Sequence, residues 1–287
     1  MKRNSLIALA ILTVVYAANA QTLKTDNSKS KNEVVTASDI DWGYLNPLRG
    51  DKSPAAGKLW GDRTDTLASG FLVKFKKGFS SPPHIHNVTY RGLVIEGLLH
   101  NDDPKAENMW LPAGSFWVQP AGEAHITAAE GERNLAYIEI QEGPYLVKPT
   151  TEAFDNGERP VNVDESNLVW LNASDITWVS LGDEKDVASA PKIAFLWGSH
   201  NEGELSGTLV KLPAGFRGEI HNQSPNFRAV IIQGTIKHQV SGKEQRTTLE
   251  AGTYFGAAEN SVHEIASNDK ESVIYIRSNG RFEVVVP

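Results

Sequence analysis

"LASGFLVKFKKGFSSPPHIHNVTYRGLVIEG", residues 67–97, decides how the chain is read. Its two ends are short runs of Phe, Leu, Val and Ile broken by Gly, Pro and Asn, the pattern of brief strands joined by turns. Its middle sets His84 and His86 one residue apart, directly after Pro82 and Pro83. On a strand, residues two apart share a face about 6.6 Å from each other, whereas on a helix they would diverge by about 200°. The proline pair discourages helix. His84 and His86 therefore share a face, and two such imidazoles can converge on one ion with nitrogens about 2.0–2.1 Å from it.

The same stretch returns at 204–234 as "ELSGTLVKLPAGFRGEIHNQSPNFRAVIIQG". The echo extends outward: "TASDIDW" at 36 returns as "NASDITW" at 172, "KLWGD" at 58 as "FLWGS" at 195, and "LPAGSFWVQPAGEAH" at 111 as "LEAGTYFGAAENSVH" at 249, always 136 to 138 residues on. One register held across separate blocks is the signature of a tandem repeat. The copies span about 35–147 and 168–287, and "KPTTEAFDNGERPVNVDESN" between them, polar and proline-bearing, reads as a linker over 148–167. Each copy is a series of four- to nine-residue strand signals without a sustained 3.6-residue period, so the fold class is all-β, two sandwiches or small barrels. Runs such as "LVI" and "AVII" are apolar at consecutive positions, as in strands buried on both faces. Copy is expected to pack on copy, or chain on chain.

A third nitrogen must come from elsewhere in the sheet, and His125 follows the turn "QPAGEAH". Of eight histidines, five (His84, His86, His125, His221 and His263) fall at these two places of the copies. In the second copy His221, Gln223 and His263 form the corresponding set, two good donors and one weak one, expected as a degenerate site in a barrel kept for packing. Cysteine is absent, so disulfides, thiolate ligands and thiolate nucleophiles are excluded and any chemistry uses nitrogen and oxygen.

Gly78, His84, His86, Tyr90 and Gly97 resemble the first cupin motif, and Gly114, Pro120, Gly122 and His125 the second. The acid of the first motif is replaced by Tyr90 and the final asparagine of the second by Ala129. The second copy follows through Gly215, His221, Gly234, Gly252 and His263, with Gln223 and Phe227 at the other motif positions. The duplicated arrangement is most similar to secreted bicupins classed as domain of unknown function 4437, related to the ChrR-like cupins. The resemblance implies two tandem double-stranded β-helix (jelly-roll) barrels and one divalent transition metal, Fe, Zn, Mn or Ni, at the mouth of the first. It also implies chemistry of the dioxygenase kind on a small molecule; a zinc hydrolase and a non-catalytic metal or small-molecule binder compete with it. Glu96 lies about 20 Å along the strand from Tyr90 and cannot replace the acid; Glu123, beside His125, is the one nearby carboxylate that could. Three neutral ligands would leave the ion's charge uncompensated and welcome an anionic ligand, with Tyr90 as the candidate catalytic residue. Arg91 and Arg228 are expected in an inter-sheet or inter-copy ion pair, and Trp60, Trp117 and Trp197 in the core.

The first twenty residues, with Lys2 and Arg3 ahead of an apolar run and Ala18-Asn19-Ala20 at the end, read as a secretory leader. Residues 21–34 read as a disordered mature N-terminus. Without the leader the formal charge moves from -7 to -9, with both signs scattered, so nucleic acid and an anionic membrane are poor partners. The expectation is a secreted protein, in the bacterial periplasm, partnered by a small molecule and, as is common for cupins, by a second copy of itself in a homodimer.

Overall fold

A computed structural model describes residues 29–182 and 190–286; the leader and most of the expected disordered segment lie outside the described residues. Each half of the chain builds a large sheet and a set of smaller strands facing it. In the first half, 42–44, 55–60, 69–75, 134–140, 90–96 and 116–119 lie side by side, and 161–163 completes the edge. The second half repeats this order with 192–198, 206–212, 272–278, 227–233 and 254–257, and 33–35 completes the edge. These are the two jelly-roll barrels.

The two closing strands are exchanged between halves. Glu33–Val35 pairs antiparallel with Tyr254–Ala257 of the second barrel, and Val161–Val163 with Phe116–Gln119 of the first. At the end of the expected disordered segment, residues 33–35 thus form a strand, and Ser30 is buried with its hydroxyl bonded to the Ala257 carbonyl at 2.6 Å. The linker reading of 148–167 is likewise corrected, because Val147–Pro149 pairs with His84–His86 and 161–163 with the first barrel. Polar, proline-bearing composition concealed both; the physical driver is an open strand edge, whose unpaired N–H and C=O groups need a partner.

The large sheets pack face to face. Leu93 and Ile95 enter one cluster with Leu209, Val230 and Ile232 of the other half, while Tyr90 and Val94, of opposite parity, face their own barrel. Consecutive apolar residues are explained by this double burial, and copy packs on copy. Arg91 lies 3.9 Å from the Trp197 ring and Arg228 4.3 Å from the Trp60 ring. Both contacts cross between the copies, each onto an aromatic face. Trp60 and Trp117 are buried and Trp197 is partly buried against the inter-barrel core. The turn after Tyr90–Glu96 needs Gly97, whose φ is 89° and whose absent Cβ leaves room for the Arg133 carbonyl.

Candidate metal centre

The site forms where the small strands meet. His84–His86 is a three-residue strand, and an isolated antiparallel bridge sets His84 opposite His125. His84 N–H and His125 N–H each donate to the other's carbonyl, at 3.1 and 3.0 Å. With His86 on the same face as His84, the three rings gather: centroids are 5.0 Å apart for His84 and His86, 4.3 Å for His84 and His125, and 5.2 Å for His86 and His125. One nitrogen from each lies within 4.8 Å of the others, and this trio is the one such group of His, Asp or Glu donors among the described residues. Two metal–nitrogen bonds of about 2.1 Å span at most about 4.2 Å, so a pair at that limit closes by roughly half an ångström around an ion.

The backbone sets which nitrogen is presented. His84 Nδ1 donates to the Pro82 carbonyl at 2.8 Å, His86 Nδ1 to Leu146 at 3.0 Å, and His125 Nδ1 to Glu123 at 3.2 Å. Occupying every Nδ1–H in this way leaves each Nε2 with its lone pair, the orientation that ligating histidines take. Burial keeps all three neutral: His86 is held well below the ordinary histidine value by desolvation and then by the neighbouring imidazoles, His125 is pushed down to about 3 by burial and by His84, and His84 is lowered by burial and, more weakly, by Arg49. The residues fit a divalent transition ion: three neutral imidazoles, fixed by carbonyls, two buried and His84 half-buried, with no carboxylate in the trio.

Tyr90 stands where the acid was absent. Its hydroxyl donates to Asn101 Oδ1 at 2.8 Å and lies 3.3 Å from His125 Nε2. Desolvation raises its pKa against the pull of nearby polar groups, so it stays a protonated phenol. Glu123 contributes its carbonyl rather than its carboxylate, to His125 Nδ1 and to Gln119 Nε2; its side chain borders a separate outer depression with Phe154 and Arg159.

Several participants carried no readable signal. Tyr145 stacks on His86 at 4.3 Å and its hydroxyl donates to Nε2 at 3.2 Å. Asn101 accepts from Tyr90 and, at 2.8 Å, from Thr127, and donates to Gln119 at 2.8 Å. Each lies far along the chain from the histidines, and only the short run "LVKP" after Tyr145 hinted that the segment was a strand. A cavity of about 290 Å³ opens beside the trio, walled by Val73, Phe75, Phe79, Ile138 and Tyr145 and reaching His84, His86 and Tyr90.

The second-barrel set does not assemble. The residue facing His263 across the ladder is Ile220, and His221 faces Val262. His221 turns outward to Glu219 at 2.6 Å, and Gln223 is exposed. Between Gly215 and Ile220 there is one residue fewer than between Gly78 and His84, and a one-residue slip sends a strand's side chains to the opposite face. His263 instead meets His238, Nδ1 to Nε2 at 2.7 Å, beside the Phe255 ring.

A family model described as Domain of unknown function (DUF4437) matches residues 33–285. No curated protein matches the chain. Among solved structures, a candidate dioxygenase from Nostoc punctiforme is 14% identical, with 90% of this chain and 89% of that one covered and a TM-score of 0.63. Lactobacillus farciminis oxalate decarboxylase, solved with formate, is 13% identical over 89% and 88%, TM-score 0.56. The oxalate decarboxylase of Bacillus subtilis, described with Mn(II) centres, is 13% identical over 90% and 80%, TM-score 0.51. At these identities the likeness is one of fold.

Proposed function

From the premise that the chain belongs to the DUF4437 family of cupins, we propose that it is an exported, periplasmic metalloenzyme acting on a small molecule at His84, His86 and His125. The observation that carries this reading is the uniform presentation of three Nε2 atoms, each by an Nδ1 bond to a backbone carbonyl. A packing role for three histidines would not require them to share one face and one focus beside a cavity. The ion, Fe, Zn, Mn or Ni, would supply Lewis acidity at positions that three protein ligands leave open, the arrangement of catalytic rather than closed structural sites. The protein's own groups do the rest. Val73, Phe75, Phe79 and Ile138 form an apolar wall for the ligand, the neutral phenols of Tyr90 and Tyr145 lie at the ligand side of the histidines, and Asn101 orients Tyr90 through its Oδ1.

Oxygen-dependent cleavage of a small organic molecule is the leading chemistry, with hydrolysis second. Elemental analysis of the protein taken from its own export compartment tests the centre: stoichiometric transition metal that is lost in His125→Ala supports it, and metal-free protein overturns it. Oxygen uptake that dies in His84→Ala then separates oxygenase from hydrolase. Ligand-dependent stabilisation without product in either assay would leave a binding protein.

A further inference from the structure

Resting on the reading of this cavity as the substrate site, we propose that the ligand is a small carboxylic acid with an apolar body, and that Arg49 is the residue that selects its carboxylate. The electrostatics of the cavity point there. The chain is acidic overall, yet none of the residues lining this cavity is Asp or Glu, and the cations at its rim are Arg49 and Lys148. Lys148 pairs with Glu152 at 2.7 Å. Arg49 is in none of the ion pairs among the described residues. A guanidinium beside an apolar hollow, with no acid to neutralise it, is a receptor for an incoming carboxylate, which it can grip with two parallel hydrogen bonds.

The loop is built to hold that position. Asn46 caps the turn Pro47–Lys52 by accepting from Leu48 N–H at 3.1 Å, and Asn46 N–H donates to Ser53 Oγ at 2.9 Å. Gly50, at φ 53° and ψ -131°, bends the segment just after Arg49, a conformation open to glycine. Lys76 Nζ donates to the Asp51 carbonyl at 3.0 Å and ties the loop to the barrel. Val73, Phe75, Phe79 and Ile138 give the cavity an apolar side. A volume near 290 Å³ is at the small end of ligand sites, roughly 300–1,000 Å³, which limits the apolar body to an aromatic ring or a short chain.

Calorimetric titration of the zinc-loaded full chain with benzoate and hexanoate, and with the neutral isosteres benzamide and hexanamide, tests this. The acids are expected to bind at least about tenfold more tightly than the amides, a difference of about 1.4 kcal/mol. Arg49→Ala should remove that preference while leaving metal content and amide affinity unchanged, and Arg49→Lys should restore part of it. Equal affinity for acid and amide, an Arg49→Ala protein that binds the acids as the parent does, or no acid binding at millimolar concentration would each overturn the assignment. The same titration in His125→Ala separates the two readings. Arg49-dependent acid binding there upholds the carboxylate site even if elemental analysis removes the metal.

Discussion

Tyr275 of the second barrel donates its hydroxyl hydrogen to Glu139 Oε1 of the first at 2.8 Å, across the seam between the two halves. Tyr137, two residues from Glu139 on the same strand, donates to the other carboxylate oxygen at 2.9 Å. Trp60 and Trp197 donate in turn to these two phenols, each at 3.0 Å. The arrangement is nearly symmetric, but Glu139 faces Arg277, 4.0 Å away, with both side chains sealed from solvent.

Removing this carboxylate takes away the ion-pair partner of the buried Arg277. Breaking one partner of a buried pair costs about 3–5 kcal/mol, so Glu139→Ala should unfold at markedly lower urea concentration. The double variant Glu139→Met/Arg277→Met should recover a large part of the loss, because two apolar side chains need no compensation. Equal destabilisation of single and double variants in equilibrium denaturation would show that the pair contributes nothing beyond packing.

Stability of the metal-free protein should fall with acid. His125 and His263 sit near 3 and His238 near 4, all lowered chiefly by burial, against about 6.5 when unfolded. Between those values the unfolded chain binds more protons than the folded one, so stability rises with pH there. The full contribution is present above about pH 6.5 and is lost as pH drops toward 4, by up to about 1.4 kcal/mol per unit for each histidine. Urea midpoints at pH 7 and pH 5 measure it, and His238→Phe should flatten the slope. A midpoint that does not move between the two pH values contradicts the burial argument.

Gly92 is where the first barrel's wall cannot accept a side chain. A Cβ there would lie 2.1 Å from Trp117 Cζ2, and Trp117 lines the cavity. Gly92→Ala should cost about 1–3 kcal/mol through overpacking and weaken ligand binding by displacing the indole. Thermal melting and the acid titration together check this; an unchanged melting temperature would mean the strand yields freely.

The register of the second barrel makes its own prediction. His221→Ala should leave metal content untouched, since His221 pairs with Glu219 on the outer face. Ile220→His with Asn222→His, by contrast, sets two imidazoles on the face that meets His263. Elemental analysis should then read one more metal equivalent than the parent; no gain would indicate that the Phe-lined interior cannot admit the ion.

Much of this was legible from residue order alone. Short apolar runs between turn residues gave strands such as Ser69–Phe75 and Asn134–Ile140. The spacing of His84 and His86, with Pro82 and Pro83 before them, gave their common face, because strand parity is a local property. What residue order concealed was non-local. Tyr145, Asn101 and the closing segments 33–35 and 161–163 find their roles only through edges and cavities made by residues far away in the chain.

The chain's order of residues, by itself, determined an all-β architecture in two echoing halves and three histidines able to meet, because side-chain alternation and turn chemistry act over a few residues. Tertiary structure alone decided that His221 faces water while Ile220 faces His263, that strands cross between barrels, and that Glu139 and Arg277 share the seam. Those outcomes depend on one-residue registers and on which edges remain unpaired when the sheets close. Such quantities are set by the packing of distant segments, and no local pattern carries them.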